Sequence, residues 1–516
     1  MTDETYIGAL DQGTSGTRFV VFDADGKPLS EAFTSNRQRS TGADRIEYDP
    51  LKLWGCATDA IRRGLANAEV ESEQLRALGI SAQRQTVLLW DADSGRPVTS
   101  ALSWRDRRTA ATIRALDEAE KQLIRERTGL EPDPYFAAPN VKWLLDNGSD
   151  PRDEADGSVN QGSGDRRDRA NRGEVLVGTV DAWLLYNLTG AHATDVTNAA
   201  QTMLFDIHER AWDDELLDLF DVPRAALPTV HPSSDPEGFG TTDPDGILNT
   251  AVPVTGVMGD QQAALLGRVA RADDGARDSA KVTYGTGNFF LQSTGGEPVE
   301  ARGSLLTTIW FQRAGEPPRY GLEGPVFSTG AILEWLQEIG LLDGGIDCPT
   351  VTEQTGAVQL VPSFDGFGAP EWISETSGGV FGLDRQTDRE DLLRAAVEAI
   401  AFGTRAVIEA AEEATDVEHD RVLVDGGAIQ DDAFAQCQAD LIGRPLVRSD
   451  VTQTTALGAA FAAGMAVEVW GPDADLEACR PDGRTFTPDG TDGRVDEAYR
   501  RWRDVVSTVA DIHRPG

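Results

Sequence analysis

Residues 6–23 have the sequence YIGALDQGTSGTRFVVFD, in which two apolar runs flank a short polar turn. The apolar runs suit strands and the turn consists of small residues that tolerate a positive φ, so the stretch predicts a β-hairpin. The backbone N–H groups and hydroxyls of such a turn can form a concave nest that suits phosphate oxygens. Asp11 stands at the edge of the turn, where a carboxylate can hold Mg²⁺ through water. An ordinary connecting turn would explain the same residues.

The same pattern recurs in the second half of the chain. Residues 281–291, KVTYGTGNFFL, again place a Gly-Thr-Gly turn between two strand-forming runs. A third glycine-containing turn, at residues 422–428 with the sequence VLVDGGA, follows an apolar strand and precedes a helical stretch. The repeat predicts two halves of related design, whose three turns could close on one nucleotide.

Two other predicted strands end in polar residues that suit a substrate site. An apolar strand ends just before Asp260 and a helix of small residues follows, so Asp260 stands at a helix N-terminus, which favours its ionised form. An ordinary helix-capping aspartate is the alternative. An earlier strand leads into Gln83, Arg84 and Gln85, and ligands of α/β sheets lie beyond such strand ends. A surface Arg-Gln pair is the alternative there.

The length of 516 residues predicts two or three domains with substantial cores. We expect an N-terminal domain at residues 1–251 and a C-terminal domain at 252–470, with the boundary just before the strand that leads to Asp260. An acidic helical tail should follow at 471–516. Residues 146–174 contain almost no apolar side chains, so we expect a flexible surface insertion there.

The charge of the chain excludes some classes of partner. The net charge is −39, and only five of the 47 basic residues are lysines. Nucleic acids and anionic membranes would repel such a surface, so neither is an expected partner. The N-terminus lacks an apolar leader and no run approaches the ~18 apolar residues of a membrane span, which predicts a cytoplasmic protein. Whether the chain forms a homo-oligomer stays open.

Abundant acidic residues and scarce lysine are typical of proteins from a cytosol with molar salt. There, screening shortens the range of repulsion between carboxylates to about 3 Å. We therefore expect the free energy of unfolding to fall as KCl is diluted. Unfolding curves recorded over a series of KCl concentrations will measure this dependence. Full stability at low salt would contradict the halophilic interpretation.

Several motifs, in this order, resemble those of the FGGY carbohydrate kinases. They are LDQGTSGTR, GDQQAALLG, YGTGNFFL, LLTTI, FGAPEW, VDGGA and TTALGAA, and together they extend from Tyr6 to about Trp470. The resemblance implies an α/β fold with two actin-like (ribonuclease H-like) ATPase domains and a catalytic cleft between them. It also implies an enzyme that transfers a phosphoryl group from ATP, with Mg²⁺, to an alcohol group of a small polyol.

The resemblance also implies roles for individual residues. Asp260 would be the general base toward the accepting hydroxyl, and Asp11 with Asp260 would hold Mg²⁺ through waters. The polyol site would be lined by Arg84, Gln85, Tyr135, Asp260 and Gln261. The nucleotide would be surrounded by Thr14, Ser15, Gly16, Arg18, Thr286, Gly330, Glu334, Gly427 and Asp431.

Three positions depart from the pattern of family members that act on glycerol. Those members usually carry Glu where this chain has Gln85, and Gln and Asn where it has Glu334 and Asp431. Replacing a carboxylate by an amide weakens an acceptor for a substrate hydroxyl by about 1–2 kcal/mol. Tyr135 in DPYF, and the segment SWRDRRT, close to the WQDRRT of those members, nevertheless favour glycerol.

The expected reaction is therefore phosphorylation of glycerol to sn-glycerol 3-phosphate. Within the family, the alternatives are dihydroxyacetone, a tetritol or a ketopentose such as xylulose. An actin-like or Hsp70-like ATPase is the alternative from another class. It would require a peptide-binding or polymerising segment, whereas the polar tail after Trp470 is short.

Overall fold

A computed structural model describes residues 5–42, 44–147, 163–269, 277–300, 305–342, 358–373, 376–471, 483–489 and 493–513. The chain forms two compact units, each built from several segments. Unit 1 comprises Met1–Gly275, Thr308–Tyr320 and Gln453–Arg480, and unit 2 comprises Ala276–Thr307, Gly321–Thr452 and Pro481–Gly516. The predicted α/β fold with two sheet-containing domains is confirmed.

Both halves contain strands as well as helices. The strands of the first half are β1 (Tyr6–Gln12), β2 (Gly16–Phe22), β3 (Pro28–Ser35), β4 (Arg39–Gly42), β5 (Arg45–Tyr48), β6 (Leu75–Ala82), β7 (Val87–Asp91), β8 (Ala101–Leu102), β9 (Val175–Thr179), β10 (Ala193–Asp195), β11 (Phe205–Asp206), β12 (Ala211–Trp212), β13 (Thr229–His231) and β14 (Val254–Gly259). The helices are α1 (Pro50–Ala68), α2 (Ala110–Arg114), α3 (Glu118–Thr128), α4 (Ala137–Asn147), α5 (Ser163–Asn171), α6 (Val180–Thr189), α7 (Val196–Ala199), α8 (Asp214–Leu219) and α9 (Asp260–Val269).

The second half is again a mixture of strands and helices. Its strands are β15 (Ala280–Tyr284), β16 (Asn288–Gly295), β17 (Leu306–Phe311), β18 (Arg319–Val326), β19 (Gln359–Val361), β20 (Gly379–Phe381), β21 (Val422–Asp425), β22 (Leu446–Ser449) and β23 (Gly483–Phe486). Its helices are α10 (Gly330–Glu338), α11 (Arg389–Thr415), α12 (Asp432–Ile442), α13 (Thr454–Ala466) and α14 (Arg494–His513). No helix in the described ranges combines the length and the apolar composition needed to cross a bilayer.

The first hairpin lies inside a five-stranded sheet with the order β14-β6-β1-β2-β3. β1 and β2 are antiparallel, with Asp11 opposite Arg18, so the predicted hairpin is confirmed. β1, β6 and β14 run parallel to one another. β1 and β14 are buried along almost their whole length, which is typical of a parallel sheet covered on both faces. The carboxyl ends of these three strands therefore meet at one edge.

A second sheet repeats this arrangement, with the order β17-β18-β16-β15-β21-β22-β23. β15 and β16 form the second predicted hairpin, and β21 runs parallel beside β15. Each sheet thus places a parallel strand next to the first strand of its hairpin. The repeat noticed in the sequence is a repeat of supersecondary structure.

Two expectations about the domain bounds need correction. The strand before Asp260, expected to open the second half, is β14 and pairs with β6 of the first sheet. The segment after residue 470 is more than a helical tail, because β23 extends the second sheet beside β22. The helix α14 of this segment packs within unit 2. Its buried Trp502 donates from Nε1 to the Leu360 carbonyl at 2.9 Å.

A flexible surface insertion was expected at residues 146–174, but its residues Ser163–Asn171 form the helix α5. Residues 148–162 lie outside the described part of the chain. A shortage of apolar surface does not by itself exclude a helix, because ion pairs can also attach a segment. The Arg167 guanidinium pairs with the Asp221 carboxylate at 2.8 Å and also with the Asp146 carboxylate. Arginine ion pairs and the buried Ala170 thus attach this helix to unit 1.

The small-residue helix α13 packs against the first sheet and α9 through glycines. A Cβ on Gly79 of β6 would lie 2.2 Å from the Ala459 carbonyl oxygen of α13. A Cβ on Gly458 of α13 would lie 1.8 Å from the Ala263 carbonyl oxygen of α9. Backbones approach this closely only where side chains are missing. These contacts fix the position of α9, which begins at Asp260.

Candidate active site

One edge of the first sheet collects the acidic and basic side chains expected in the active site. Met258 of β14, Ser81 of β6 and Asp11 of β1 lie side by side in register. Just beyond this line, β6 leads into Arg84 and β14 leads into Asp260. Parallel strands place their following residues at the same edge, which is where ligands of α/β sheets bind.

Asp260 is the first residue of α9 and is held from two sides. Its Oδ1 atom accepts hydrogen bonds from Arg84 Nε at 3.1 Å and from the Gln261 backbone N–H at 2.8 Å. The side chain of Asp260 is 24% exposed, whereas that of Arg84 is 2% exposed. A buried guanidinium thus orients a carboxylate that solvent can reach. This combination suits an acceptor that must meet a substrate.

The peptide group that precedes Asp260 is fixed by hydrogen bonds that lead to the buried Asp195 carboxylate. The Gly259 N–H donates to Thr197 Oγ1 at 2.8 Å, and this hydroxyl donates to Asp195 Oδ1 at 3.0 Å. Burial raises the pKa of Asp195 to about 6, although Asn198 and Ser233 donate hydrogen bonds to it. These hydrogen bonds anchor the end of β14.

Gln85 follows Arg84 in an uncommon backbone conformation, with φ at +64°. Its side chain is buried, and Nε2 donates to Gln201 Oε1 at 2.7 Å. Gln201 Nε2 in turn donates to Thr308 Oγ1 at 3.1 Å. Left-handed φ at a residue other than glycine is uncommon and often marks a functional position.

Tyr135 is buried beside the same edge. Its backbone N–H donates to Asp133 Oδ1 at 2.8 Å, and its ring packs edge-on against Trp104 with centroids 5.8 Å apart. Trp104 Nε1 donates to Thr14 Oγ1 at 3.1 Å in the turn of the first hairpin. The aromatic pair therefore connects the expected polyol residue with the expected phosphate turn.

The turn of the first hairpin is held in a defined conformation. The Gly13 N–H donates to the Gly16 carbonyl at 2.9 Å, and the Tyr48 hydroxyl donates to the Thr14 carbonyl at 2.9 Å. Gly16 is required by space, because a Cβ there would lie 2.5 Å from the Thr34 carbonyl oxygen. Ser15, at the tip, is exposed. Exposed N–H and hydroxyl groups on a rigid turn suit a phosphate site.

Asp11 and Arg18 face each other across the two strands of this hairpin. Arg18 Nε pairs with Glu31 at 2.7 Å, and Ser81 Oγ donates to Asp11 Oδ1 at 2.7 Å. Burial raises the pKa of Asp11 to about 6 against the Ser81 hydrogen bond and the charge of Arg18, and the charge of Asp260 adds to the rise. Asp11 and Asp260 therefore interact electrostatically. Mg²⁺ is commonly held by one or two carboxylates with waters and phosphate oxygens, so this pair fits such an ion.

In unit 2, the second hairpin turn meets the N-terminus of α10. The Thr286 carbonyl accepts from the Thr329 and Ala331 N–H groups at 3.0 and 3.1 Å, and the Gly330 N–H donates to the Gly285 carbonyl at 3.1 Å. A Cβ on Gly330 would lie 2.5 Å from that carbonyl oxygen. The expected nucleotide residues Thr286 and Gly330 are thus brought together.

The third turn lies beside the same hairpin. Gly426 has φ at +102°, and a Cβ there would lie 2.3 Å from the Tyr284 carbonyl oxygen. Gly427 is exposed with open space where a Cβ would be. Asp431 caps α12 by accepting from the Phe434 N–H at 2.8 Å. Glu334 is exposed one turn into α10, so both acidic departures from the family pattern face solvent.

The structure adds residues that the sequence did not single out. Ser81 donates a hydrogen bond to the expected site residue Asp11, and Gln201 accepts one from the expected site residue Gln85. Thr308 in turn accepts a hydrogen bond from Gln201. Gln201 is more than a hundred residues from both of its partners in the chain, so no local pattern links them. The segment 196–207, VTNAAQTMLFDI, mixes polar and apolar residues, so the sequence does not distinguish Gln201 from its polar neighbours.

Comparisons with known proteins agree with this geometry. Residues 6–267 match the N-terminal domain of the FGGY family of carbohydrate kinases, and residues 280–467 match its C-terminal domain. The glycerol kinase of Haloferax volcanii is 46% identical over 522 residues, covering 100% of both chains. The glycerol kinase of Haloarcula marismortui is 44% identical, covering 98% of this chain and 99% of its own.

Solved structures show the same fold. The Plasmodium falciparum glycerol kinase, crystallised with ADP, superimposes with a TM-score of 0.83 at 27% identity and 98% coverage of both chains. The gluconate kinase of Lactobacillus acidophilus superimposes with a TM-score of 0.80 at 19% identity and 99% coverage of both. The second likeness concerns the fold alone.

Proposed function

We propose a function from one premise: the chain belongs to the FGGY family of carbohydrate kinases. It phosphorylates glycerol with ATP and Mg²⁺, giving sn-glycerol 3-phosphate and ADP. The whole-length identity of 46% to a protein named glycerol kinase carries this choice of substrate. The protein acts in the cytoplasm, with glycerol and ATP as its small-molecule partners.

Asp260 is the general base. One carboxylate oxygen, Oδ1, is occupied by Arg84 and the Gln261 N–H. The other accepts the hydroxyl proton as the glycerol oxygen attacks the γ-phosphorus and the bond from that phosphorus to ADP breaks. Phosphoryl transfer depends mainly on positioning and on neutralising charge, so one oriented carboxylate suffices as the base.

Hydrogen-bonding side chains position the polyol, because its hydroxyls offer little else to recognise. Arg84, Gln85 and Gln261 supply donors and acceptors, and Tyr135 contributes an aromatic wall. Each neutral hydrogen bond contributes about 0.5–1.5 kcal/mol. The same buried guanidinium that orients Asp260 therefore also helps to orient the substrate.

Each unit contributes proposed nucleotide-binding residues. In unit 1, phosphate oxygens contact the turn that contains Thr14, Ser15 and Gly16, with Arg18 behind it. In unit 2, the proposed nucleotide-binding residues are Thr286, Gly330, Glu334, Gly427 and Asp431. Asp11 and Asp260 would hold Mg²⁺ through waters, and the ion would neutralise charge on the phosphates.

A coupled assay of ADP release tests the proposal. Purified protein in high KCl with MgATP is offered glycerol, dihydroxyacetone, erythritol, xylulose or ribulose, with a control that lacks acceptor. We expect glycerol to give the highest kcat/KM. A better rate with another acceptor would reassign the substrate within the family, and no rate above the control would refute the kinase.

The substitution Gln85→Glu tests contact with the polyol. A carboxylate is a stronger acceptor than an amide, so we expect KM for glycerol to fall about 5–30-fold at unchanged kcat. Steady-state kinetics across a glycerol series will measure this. An unchanged KM would mean that position 85 does not contact the substrate.

A further inference from the structure

Gln85, Gln201 and Thr308 form a buried chain of polar side chains. Gln85 is 2% exposed, and the other two residues are fully buried. The two hydrogen bonds have the same direction. Gln85 Nε2 donates to Gln201 Oε1 at 2.7 Å, and Gln201 Nε2 donates to Thr308 Oγ1 at 3.1 Å. Nothing in the proposed mechanism uses Gln201 or Thr308.

The direction of these hydrogen bonds determines which end of the Gln85 amide is available to a substrate. A carboxamide has a donor side and an acceptor side. Because the donor side of Gln85 is directed to Gln201, its carbonyl oxygen lies on the opposite side of the amide group. The φ of +64° at Gln85 and the ion pair of the adjacent Arg84 with Asp260 fix the backbone from which this amide extends.

We propose that Gln201 is a positioning residue for substrate recognition. It holds the Gln85 amide with the carbonyl oxygen toward the polyol, so that a neutral amide accepts a hydrogen bond from one substrate hydroxyl. The proposal rests on the proposed polyol kinase function and deepens it. Without Gln201 the amide can turn over and present N–H groups, which a hydroxyl donor cannot use in the same way.

Thr308 allows the direction of these hydrogen bonds to reverse. A hydroxyl can accept or donate, whereas an amide nitrogen only donates. If residue 85 is changed to glutamate, Gln201 can turn over, donate to the new carboxylate and accept from the Thr308 hydroxyl. These hydrogen-bond partners can therefore serve either residue at position 85, so we expect Gln85→Glu to fold.

A pair of variants at one position tests the proposal. Gln201→Met removes the acceptor while keeping the length of the side chain, and Gln201→Glu keeps an acceptor for Gln85 Nε2. We expect Gln201→Met to raise KM for glycerol about threefold to tenfold, the effect of one neutral hydrogen bond, with kcat nearly unchanged. Gln201→Glu should leave KM within about threefold of the original value.

Diol substrates separate positioning from a general loss of structure. Propane-1,2-diol and propane-1,3-diol each lack one hydroxyl of glycerol. For the diol that lacks the hydroxyl bound by Gln85, Gln201→Met should have no further effect on KM, while the other diol should show the same rise as glycerol. An equal rise for all three substrates, or a loss of kcat alone, would overturn the proposal.

The same experiment separates the proposed kinase function from the positioning role of Gln201. If the unchanged protein phosphorylates none of the acceptors, the proposed function fails before Gln201 is tested. If it phosphorylates glycerol and Gln201→Met leaves KM unchanged, the function stands and the positioning role is refuted. Unfolding curves of both variants in high KCl confirm that each is folded when measured.

Discussion

Replacing Asp260 by asparagine should lower kcat for glycerol phosphorylation about 10²–10⁴-fold, the usual contribution of a general base. An amide cannot accept the hydroxyl proton, yet its carbonyl oxygen can still accept the hydrogen bonds of Arg84 and the Gln261 N–H. The variant should therefore fold and bind ATP. Single-turnover kinetics and calorimetric titration of the nucleotide will measure the two properties separately.

A second aspartate at a helix start provides the control. Asp213 precedes α8 and its Oδ1 accepts from the Leu216 N–H at 2.9 Å, but it lies outside the proposed site. Asparagine caps helices as well as aspartate, so Asp213→Asn should leave activity unchanged. If Asp260→Asn also retained full activity, Asp260 would be an ordinary capping residue and the proposed mechanism would be wrong.

Replacing Gly458 by alanine should destabilise unit 1 by about 3 kcal/mol, the upper end of the usual cost of overpacking. The new methyl group would lie 1.8 Å from the Ala263 carbonyl oxygen, so α9 and α13 must move apart. A Cβ on Gly267 of α9 would likewise lie 2.1 Å from the Thr454 carbonyl oxygen. Because α9 begins with Asp260, activity should fall together with stability. Denaturant unfolding and kcat/KM will measure both.

Gly55 is the matched control, since it is an exposed helical glycine with no atom within 4 Å of its added Cβ. Gly55→Ala should stabilise the protein by about 0.5–1 kcal/mol, because alanine has the higher helix propensity. If Gly458→Ala matched Gly55→Ala in stability, the close approach of α9 and α13 would not constrain the fold.

The halophilic interpretation and the family resemblance came from different properties of the sequence. The net charge of −39 and the scarcity of lysine concern the surface, while the glycine turns concern the site. Relatives named glycerol kinase from Haloferax volcanii and Haloarcula marismortui match over the whole chain, which agrees with both interpretations. The dependence of stability on KCl stays a prediction.

Local sequence patterns by themselves determined the two hairpins and the transition from strand to helix at Asp260. A turn or a helix start depends on neighbouring residues, so the sequence near Gly13, Gly285 and Gly259 contains enough information to predict them. The same is true of the third turn, at Gly426, where a positive φ requires glycine.

Only the tertiary structure decided which distant segments share a unit and which polar groups meet. α13 follows the second hairpin in the chain, yet it packs against Gly79 of the first sheet, and β14 pairs with β6 although the sequence suggested a boundary before it. Gln85 meets Gln201 and Thr308 in the same way. Such contacts depend on which buried surfaces and hydrogen-bonding groups fit together across long separations, and residue order does not encode that fit locally.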